Sequence, residues 1–306
     1  MSQDKFIKTL LFNIQNNIRD NNLLSYNMRS LRSRYFFGLV FLLNKVINYF
    51  CFKNEIIFAN SKPYIKIDDV YLEVVNRYFL KIVNEKYVSK ANLIIKFLNK
   101  YKFYPKIILD VGACWGEFSL VLGKYYNKSH IYAVEGSEEN YKVLCNNISC
   151  QLNKIENVEP YNYIVSDSDN YKFIKNVIGT TNRVNNVVKQ EGSNYSKVKS
   201  ITLKKFISDK NLTYIDFLKL DIEGHELHLI EDILNINIKY GQIEIININT
   251  QVQNLKFLER LSKKFELYDT ESFSLINVKE LRNHIFNKLI NSVAFDIFIV
   301  SKKNNN

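Results

Sequence analysis

The sequence predicts an α/β fold: a mostly parallel sheet with helices on both faces over about residues 106–300, preceded by a basic, mainly helical extension. Three observations carry this expectation. From residue 107 onward, short apolar runs alternate with helical patterns in a βαβαβ rhythm, which demands crossover connections and so parallel strands. A turn containing Gly112 and Gly116 follows directly on the first of those runs. Charge is also segregated: residues 1–105 carry 17 Lys and Arg against 7 Asp and Glu, and residues 106–306 carry 25 against 24, so nearly all of the net +11 lies in the N-terminal third.

The extension comes first, with a domain boundary expected between residues 88 and 89. Residues 1–60 read as helical and partly amphipathic. The run 35–52 is apolar except for Asn44, Lys45 and Asn48, which form one narrow polar stripe. With a central lysine and fewer than the roughly 20 apolar residues of a spanning helix, it is not expected to cross a bilayer. Packing on the core or on a second copy in a homodimer is the preferred reading. The alternative is peripheral membrane contact through residues 29–52, since Arg29, Arg32 and Arg34 stand just before the apolar run. The first thirty residues lack the apolar stretch and cleavage site of a secretory signal, and Cys51, Cys114, Cys145 and Cys150 show no CxxC or metal-ligand spacing. Both features point to reduced thiols and a cytoplasmic location, at most peripheral to a membrane.

In residues 89–306 the expected elements are a helix at 89–100, a strand at 107–111, a helix near 117–126, a strand at 130–134, a helix near 138–149 and a strand at 158–165. The polar stretch 166–200 reads as an irregular excursion or hairpin. Alternation resumes with a strand at 214–220, a helix near 225–234, a strand at 242–248 and a final helix-plus-strand ending at 294–300.

Two constellations carry chemistry. At the first strand end, Gly112 allows a sharp turn and a close backbone approach, and the following helix start offers free N–H groups. Glu135 closes the next strand 23 residues later. That is where a doubly wound fold places an acid to accept both hydroxyls of a ribose. NAD enzymes usually have a third, central glycine, here Ala113, and the strand acid Asp110 would repel a pyrophosphate while suiting a cationic sulfonium. An NAD-dependent sugar oxidoreductase is therefore the weaker enzymatic alternative. At a later strand end, Lys219, Asp221, Glu223, His225 and Glu226 gather around Gly224. Asp221 is the candidate general base and Glu223 the candidate orienting group. Lys219 is expected to pair with an acid, Glu226 to cap a helix, and His225 to serve packing.

The run Asp110-Val111-Gly112-Ala113 with Gly116, then Glu135, Ser166-Asp167, Ile201-Thr202-Leu203, Phe217-Leu218-Lys219-Leu220-Asp221-Ile222-Glu223-Gly224-His225-Glu226 and Asn291-Ser292-Val293-Ala294, resembles the FkbM family of methyltransferases from about Ser89 to Val300. The resemblance implies a class I methyltransferase core: a mostly parallel seven-stranded sheet with the last strand pair antiparallel. It implies S-adenosylmethionine as cofactor, contacted by Asp110, Gly112, Ala113, Gly116, Phe118, Glu135, Gly136, Ser137, Ser166 and Asp167. It further implies O-methylation of a sugar, glycan or related natural-product hydroxyl, on an acceptor that can be lipid-linked. The sequence departs from the family at Cys114 (commonly asparagine), Gly136 (commonly proline) and Lys204 (commonly aspartate). A divalent metal is compatible with these carboxylates but is not expected. A nucleic-acid partner is not expected either, because the core is nearly neutral and has no Asn-Pro-Pro-aromatic segment for a flipped base. The alternative from another class is a non-catalytic partner of the same nucleoside-binding fold in a membrane-associated glycan-assembly complex.

Overall fold

The computed structural model describes residues 56–59, 62–75, 89–175, 184–185 and 195–302. The chain divides into two compact units, Met1–Val88 and Ser89–Asn306. In the first unit the described residues form a three-stranded antiparallel sheet: β1 (Ile56–Ala59), β2 (Lys62–Ile67) and β3 (Val70–Glu73). Strand β1 corrects the helical reading of residues 1–60 at Ile56–Ala59. Ile67 pairs with Val70 around Asp68 and Asp69, with Asp68 at φ 51°, so the segment is a tight hairpin. Tyr64, Ile65, Ile67, Val70 and Leu72 are buried, and Lys62 pairs with Glu73 at 3.0 Å. The helical, membrane-contact and dimer expectations for residues 1–55 lie outside the described residues. Among the described residues no helix is long and apolar enough to cross a membrane.

The second unit opens with α1 (Ala91–Lys100) and continues with β4 (Ile107–Val111), α2 (Glu117–Tyr125), β5 (His130–Val134), α3 (Glu138–Ser149) and β6 (Val158–Tyr161). An excursion follows, made of β7 (Ile164–Val165), β8 (Tyr171–Lys175), β9 (Val184–Asn185) and β10 (Tyr195–Ile201). The chain then runs through α4 (Leu203–Asp209), β11 (Ile215–Leu220), a 3-10 turn Glu226–Leu229, α5 (Ile230–Asn235), β12 (Ile238–Ile246), α6 (Gln251–Lys264), β13 (Phe265–Asp269), α7 (Leu281–Asn291) and β14 (Ala294–Ser301). Side-chain caps start three of the helices: Ser137 for α3, Thr202 for α4 and, with Gln253 in a capping box, Thr250 for α6.

The large sheet has the order β13-β14-β12-β11-β4-β5-β6. Five strands run parallel, and β14 is antiparallel to both β12 and β13. This is the class I methyltransferase arrangement expected from the sequence. Two expected strands differ in detail. The run 158–165 splits at Asn162 and Tyr163, so β6 joins the large sheet while β7 joins the small sheet β7-β10-β8-β9. β12 begins four residues earlier than expected, at Ile238.

Each face of the sheet has its own character. Leu109, Val111, Leu218, Leu220, Ile243, Ile245, Ile297 and Ile299 point into one apolar core with residues of α4, α5, α6 and α7, including Phe206, Ile233, Leu258 and Ile285. On the opposite face, Phe97 of α1 stacks on Phe298 at 4.0 Å between centroids, and Tyr101, Tyr240 and Tyr268 meet it edge-on. That second face also carries a polar row. In register across the sheet stand Asp110 of β4, Lys219 of β11 and Gln242 of β12. Polar side chains in the middle of a sheet cost stability unless they pair, so this row marks where the fold departs from simple packing.

Candidate active site

The chain leaves β4 toward β5 and β6 on one side, and later fills β11 and β12 on the other. The switch point therefore lies between β4 and β11, and the crevice outside their carboxyl ends is where open α/β sheets bind ligands. Gly112 and Asp221 follow those two strands. Gly112 has φ 83°, and a Cβ there would stand 1.7 Å from the Asp221 carbonyl oxygen. The glycine is thus required by the close approach of two strand ends, in addition to the turn expected of it.

Beneath this crevice lies the polar row. Asp110 is fully buried; its Oδ2 accepts from the Ser119 hydroxyl of α2 at 2.6 Å. Lys219 Nζ is 3.4 Å from Asp110 Oδ1 and 3.2 Å from Asp221 Oδ2, and it lies 4.5 Å from the centre of the Phe118 ring. Burial alone would lower the lysine pKa, but Asp221 and Asp110 outweigh it and hold the ammonium well above its usual range. Asp110 and Phe118 were both expected to contact the cofactor. In the structure Asp110 anchors Lys219 and α2, and Phe118 lies over the Lys219 ammonium.

Glu135, at the end of β5, is buried with both carboxylate oxygens oriented by backbone N–H groups. Oε2 accepts from Cys114 at 2.8 Å and Oε1 from Ser137 at 2.7 Å. Cys114 reaches it with φ 51°, a left-handed conformation suited to the asparagine that the family commonly has there. Gly112 and Ala113 both donate to the Val134 carbonyl, which pins the turn beside Glu135. Gly116, at φ 86°, starts α2. A Cβ on Gly136 would come 2.8 Å from Ile164, and Asn162 bonds the Glu135 and Gly136 carbonyls at 2.8 and 3.3 Å. The split between β6 and β7 is thereby tied to the site. Burial pushes the Glu135 carboxyl up to about 7, against the opposing effect of the Ser137 and Cys114 N–H groups. The Asn140 side chain bonds the same carboxylate, so three donors hold it, and of its roughly four acceptor positions one remains for a ribose hydroxyl. That donor–acceptor pattern fits the ribose of S-adenosylmethionine.

The turn after β11 holds unusual backbone: Glu223 has φ 58° and Gly224 φ 99°. Glu226 folds back to fix it, its buried Oε1 accepting from the Ile222 N–H at 2.7 Å, and burial raises its carboxyl to about 7. His225 Nε2 is 3.1 Å from the Ser166 hydroxyl, which also reaches Asp167 at 2.9 Å. Ser166 is fully buried and Asp167 exposed. The pair expected at the cofactor is thus joined to the Asp221 turn through His225.

Sequence reasoning missed three charged residues at this edge. Glu244 lies one position beyond the Leu220–Ile243 pair, beside Asp221, and it pairs across the sheet with Asp296 of β14. Lys90, at the start of α1, bonds Asp296 at 3.2 Å. The available signal was the alternation Gln242-Ile243-Glu244-Ile245, which puts polar groups on one face of an otherwise buried strand. Among the described residues no three His, Cys, Asp or Glu side chains are grouped so as to hold a metal ion.

Residues 110–275 match the family model described as the methyltransferase FkbM domain. Similar solved structures include the Methanococcus jannaschii fibrillarin pre-rRNA processing protein, at 12% identity over 81% of this chain and 88% of that one, with a TM-score of 0.40. An S-adenosylmethionine-dependent methyltransferase from Aquifex aeolicus is similar at 12% identity over 74% and 100%, with a TM-score of 0.39. The precorrin-6y C5,15-methyltransferase of Geobacter metallireducens is similar at 12% over 71% and 92%, with a TM-score of 0.38. No curated protein matches the sequence.

Proposed function

The chain belongs to the FkbM methyltransferase domain family, and from that premise we propose that it moves the methyl group of S-adenosylmethionine to a hydroxyl of a sugar, glycan or related natural product. The observation that carries the cofactor is Glu135, a buried carboxylate at the strand end beside the glycine turn, oriented by the Cys114 and Ser137 N–H groups and the Asn140 side chain and keeping acceptor capacity for a ribose hydroxyl. The bound cofactor supplies an electrophilic methyl group. The chain's own residues bind, orient and deprotonate. Glu135 takes the ribose hydroxyls, Asp221 takes the proton from the acceptor hydroxyl, and Glu223 orients neighbouring hydroxyls from its left-handed turn. Lys219 neutralises Asp110 and fixes Asp221 from behind.

Calorimetry with S-adenosylhomocysteine tests the reading. Glu135→Ala should weaken binding by about 1.5–3 kcal/mol, roughly 10–150-fold. A pH dependence should accompany this. The ionised carboxylate is the better acceptor for a ribose hydroxyl, so a free-protein pKa of about 7 makes wild-type affinity fall as pH drops through that value. The expected loss from about pH 8 to about pH 6 is roughly tenfold, and Glu135→Gln should flatten it. Unchanged affinity in Glu135→Ala, or tighter binding of NAD than of S-adenosylhomocysteine, would remove the cofactor assignment.

A further inference from the structure

The acids and cations at the carboxyl edge of the sheet do not balance. Lys219 is shared between Asp110 and Asp221, and Lys90 is held by Asp296. That leaves Glu244 with no ion-pair partner of its own among the described residues, although it stands between Asp221 and Asp296 in the row. Its Oε2 is buried and has no hydrogen-bond partner among the described residues. One row below on the same strand face, Gln242 is 2% exposed and its Oε1 is likewise unpartnered. The charged groups that act on Glu244 are Asp221, Glu223 and Glu226 from the β11 end and its turn, Asp296 from β14, and Lys90 from α1.

Glu244 is half-buried, with one oxygen fully enclosed and unpartnered among the described residues. Four other carboxylates act on it, and the Lys90 ammonium is already bonded to Asp296, so the group takes up a proton rather than stay ionised. We propose that Glu244 is a positioning residue for methyl transfer, an un-ionised acid beside Asp221 that donates a hydrogen bond and fits the acceptor pocket to a neutral hydroxyl rather than an amine. The inference rests on the hydroxyl-acceptor reading above. Burial, then the charges of Asp221 and Asp296, push the Glu244 carboxyl up to about 9. With Glu244 neutral, Asp221 can remain the carboxylate that receives a proton, and the neighbouring O–H has a lone pair of the acceptor to bind. A cationic amine would offer no lone pair to that O–H.

The test uses the full chain and reads thermal midpoints from about pH 5 to about pH 9 for wild type and Glu244→Gln. The sign follows from linkage. The folded protein keeps a proton that the unfolded chain releases near its ordinary carboxyl pKa, so this group's contribution to stability falls as pH rises from about 4.5 to about 9. Glutamine cannot ionise. The Glu244→Gln midpoint should therefore gain on wild type progressively as pH rises. A gap that stays constant, or a variant that loses ground at high pH, would show a paired carboxylate and overturn the inference. Infrared difference spectra of the same two proteins at neutral pH give a readout independent of stability: a protonated-carboxyl band lost in Glu244→Gln supports the inference, and its absence in wild type overturns it. With a neutral methyl hexopyranoside as acceptor probe, Glu244→Gln should keep KM within about threefold while Glu244→Ala raises it about tenfold or more. Methylation of the amino-sugar counterpart at nitrogen by wild type would end the hydroxyl reading itself, whatever the midpoints show. Loss of the widening gap with the neutral glycoside still methylated would end only the role of Glu244.

Discussion

Asp221→Asn is expected to lower methyl transfer by a factor of about 10²–10⁴ while changing cofactor affinity far less. Asp221 is the residue proposed above to take the hydroxyl proton. It stands at the switch point between β4 and β11, its side chain is 31% exposed, and Lys219 holds its Oδ2 at 3.2 Å, leaving Oδ1 for the acceptor. The asparagine has the same shape and can still lie against Lys219, but it cannot accept the hydroxyl proton. Release of S-adenosylhomocysteine with neutral glycosides as acceptors measures the first quantity, and calorimetry with S-adenosylhomocysteine measures the second. Full turnover in the variant would remove Asp221 as base. Turnover that survives Asp221→Asn but falls on chelation would replace it with a metal-assisted route.

Lys219→Met is expected to destabilise the protein by about 3–5 kcal/mol, the cost of leaving a buried carboxylate without its counter-ion. The lysine side chain is 4% exposed and that of Asp110 is fully buried. Asp110 Oδ1 has no hydrogen bond among the described residues, so the ammonium is its main compensation. Asp221, being partly exposed, can be resolvated; Asp110 cannot. Adding Asp110→Asn to Lys219→Met should therefore recover part of the loss, because it removes the stranded charge. Urea unfolding of the single and double variants gives the comparison. A cost below about 1 kcal/mol for Lys219→Met would mean the triad is as weakly coupled as a surface ion pair.

The strands nearest the site were the most legible. β4 and β5 occupy the residues expected of them, because a parallel strand buried on both faces reads as a short apolar run between turn residues. α3 was equally clear, with Ser137 capping it and acids in its first turn. The hairpin β2–β3 was not legible as such, since Pro63 and the Asp68-Asp69 turn lack the glycine that usually announces a tight hairpin. α6 and β13 were missed although Thr250 and Gln253 form a capping box, a local signal that was present. The division of 158–165 could not be read locally, because Asn162 turns the chain there by bonding the Glu135 and Gly136 carbonyls, more than twenty residues away.

The sequence by itself determined the α/β class, the parallel core, the glycine turn with Glu135 at the next strand end, and the cluster around Asp221. Those features rest on local order: hydrophobic period, turn residues and the short fixed distance from one strand end to the next. Only the tertiary structure decided which groups face one another. It set Asp110 against Lys219, and placed the Asp221 carbonyl where a Gly112 Cβ would be. It also put Glu244 beside Asp221 and set Asp296, from the distant last strand, against Glu244. The physical reason is register: which residues of β4, β11, β12 and β14 share a row depends on strand order and pairing, and these are settled by packing the apolar face rather than by the identity of the polar residues on the other.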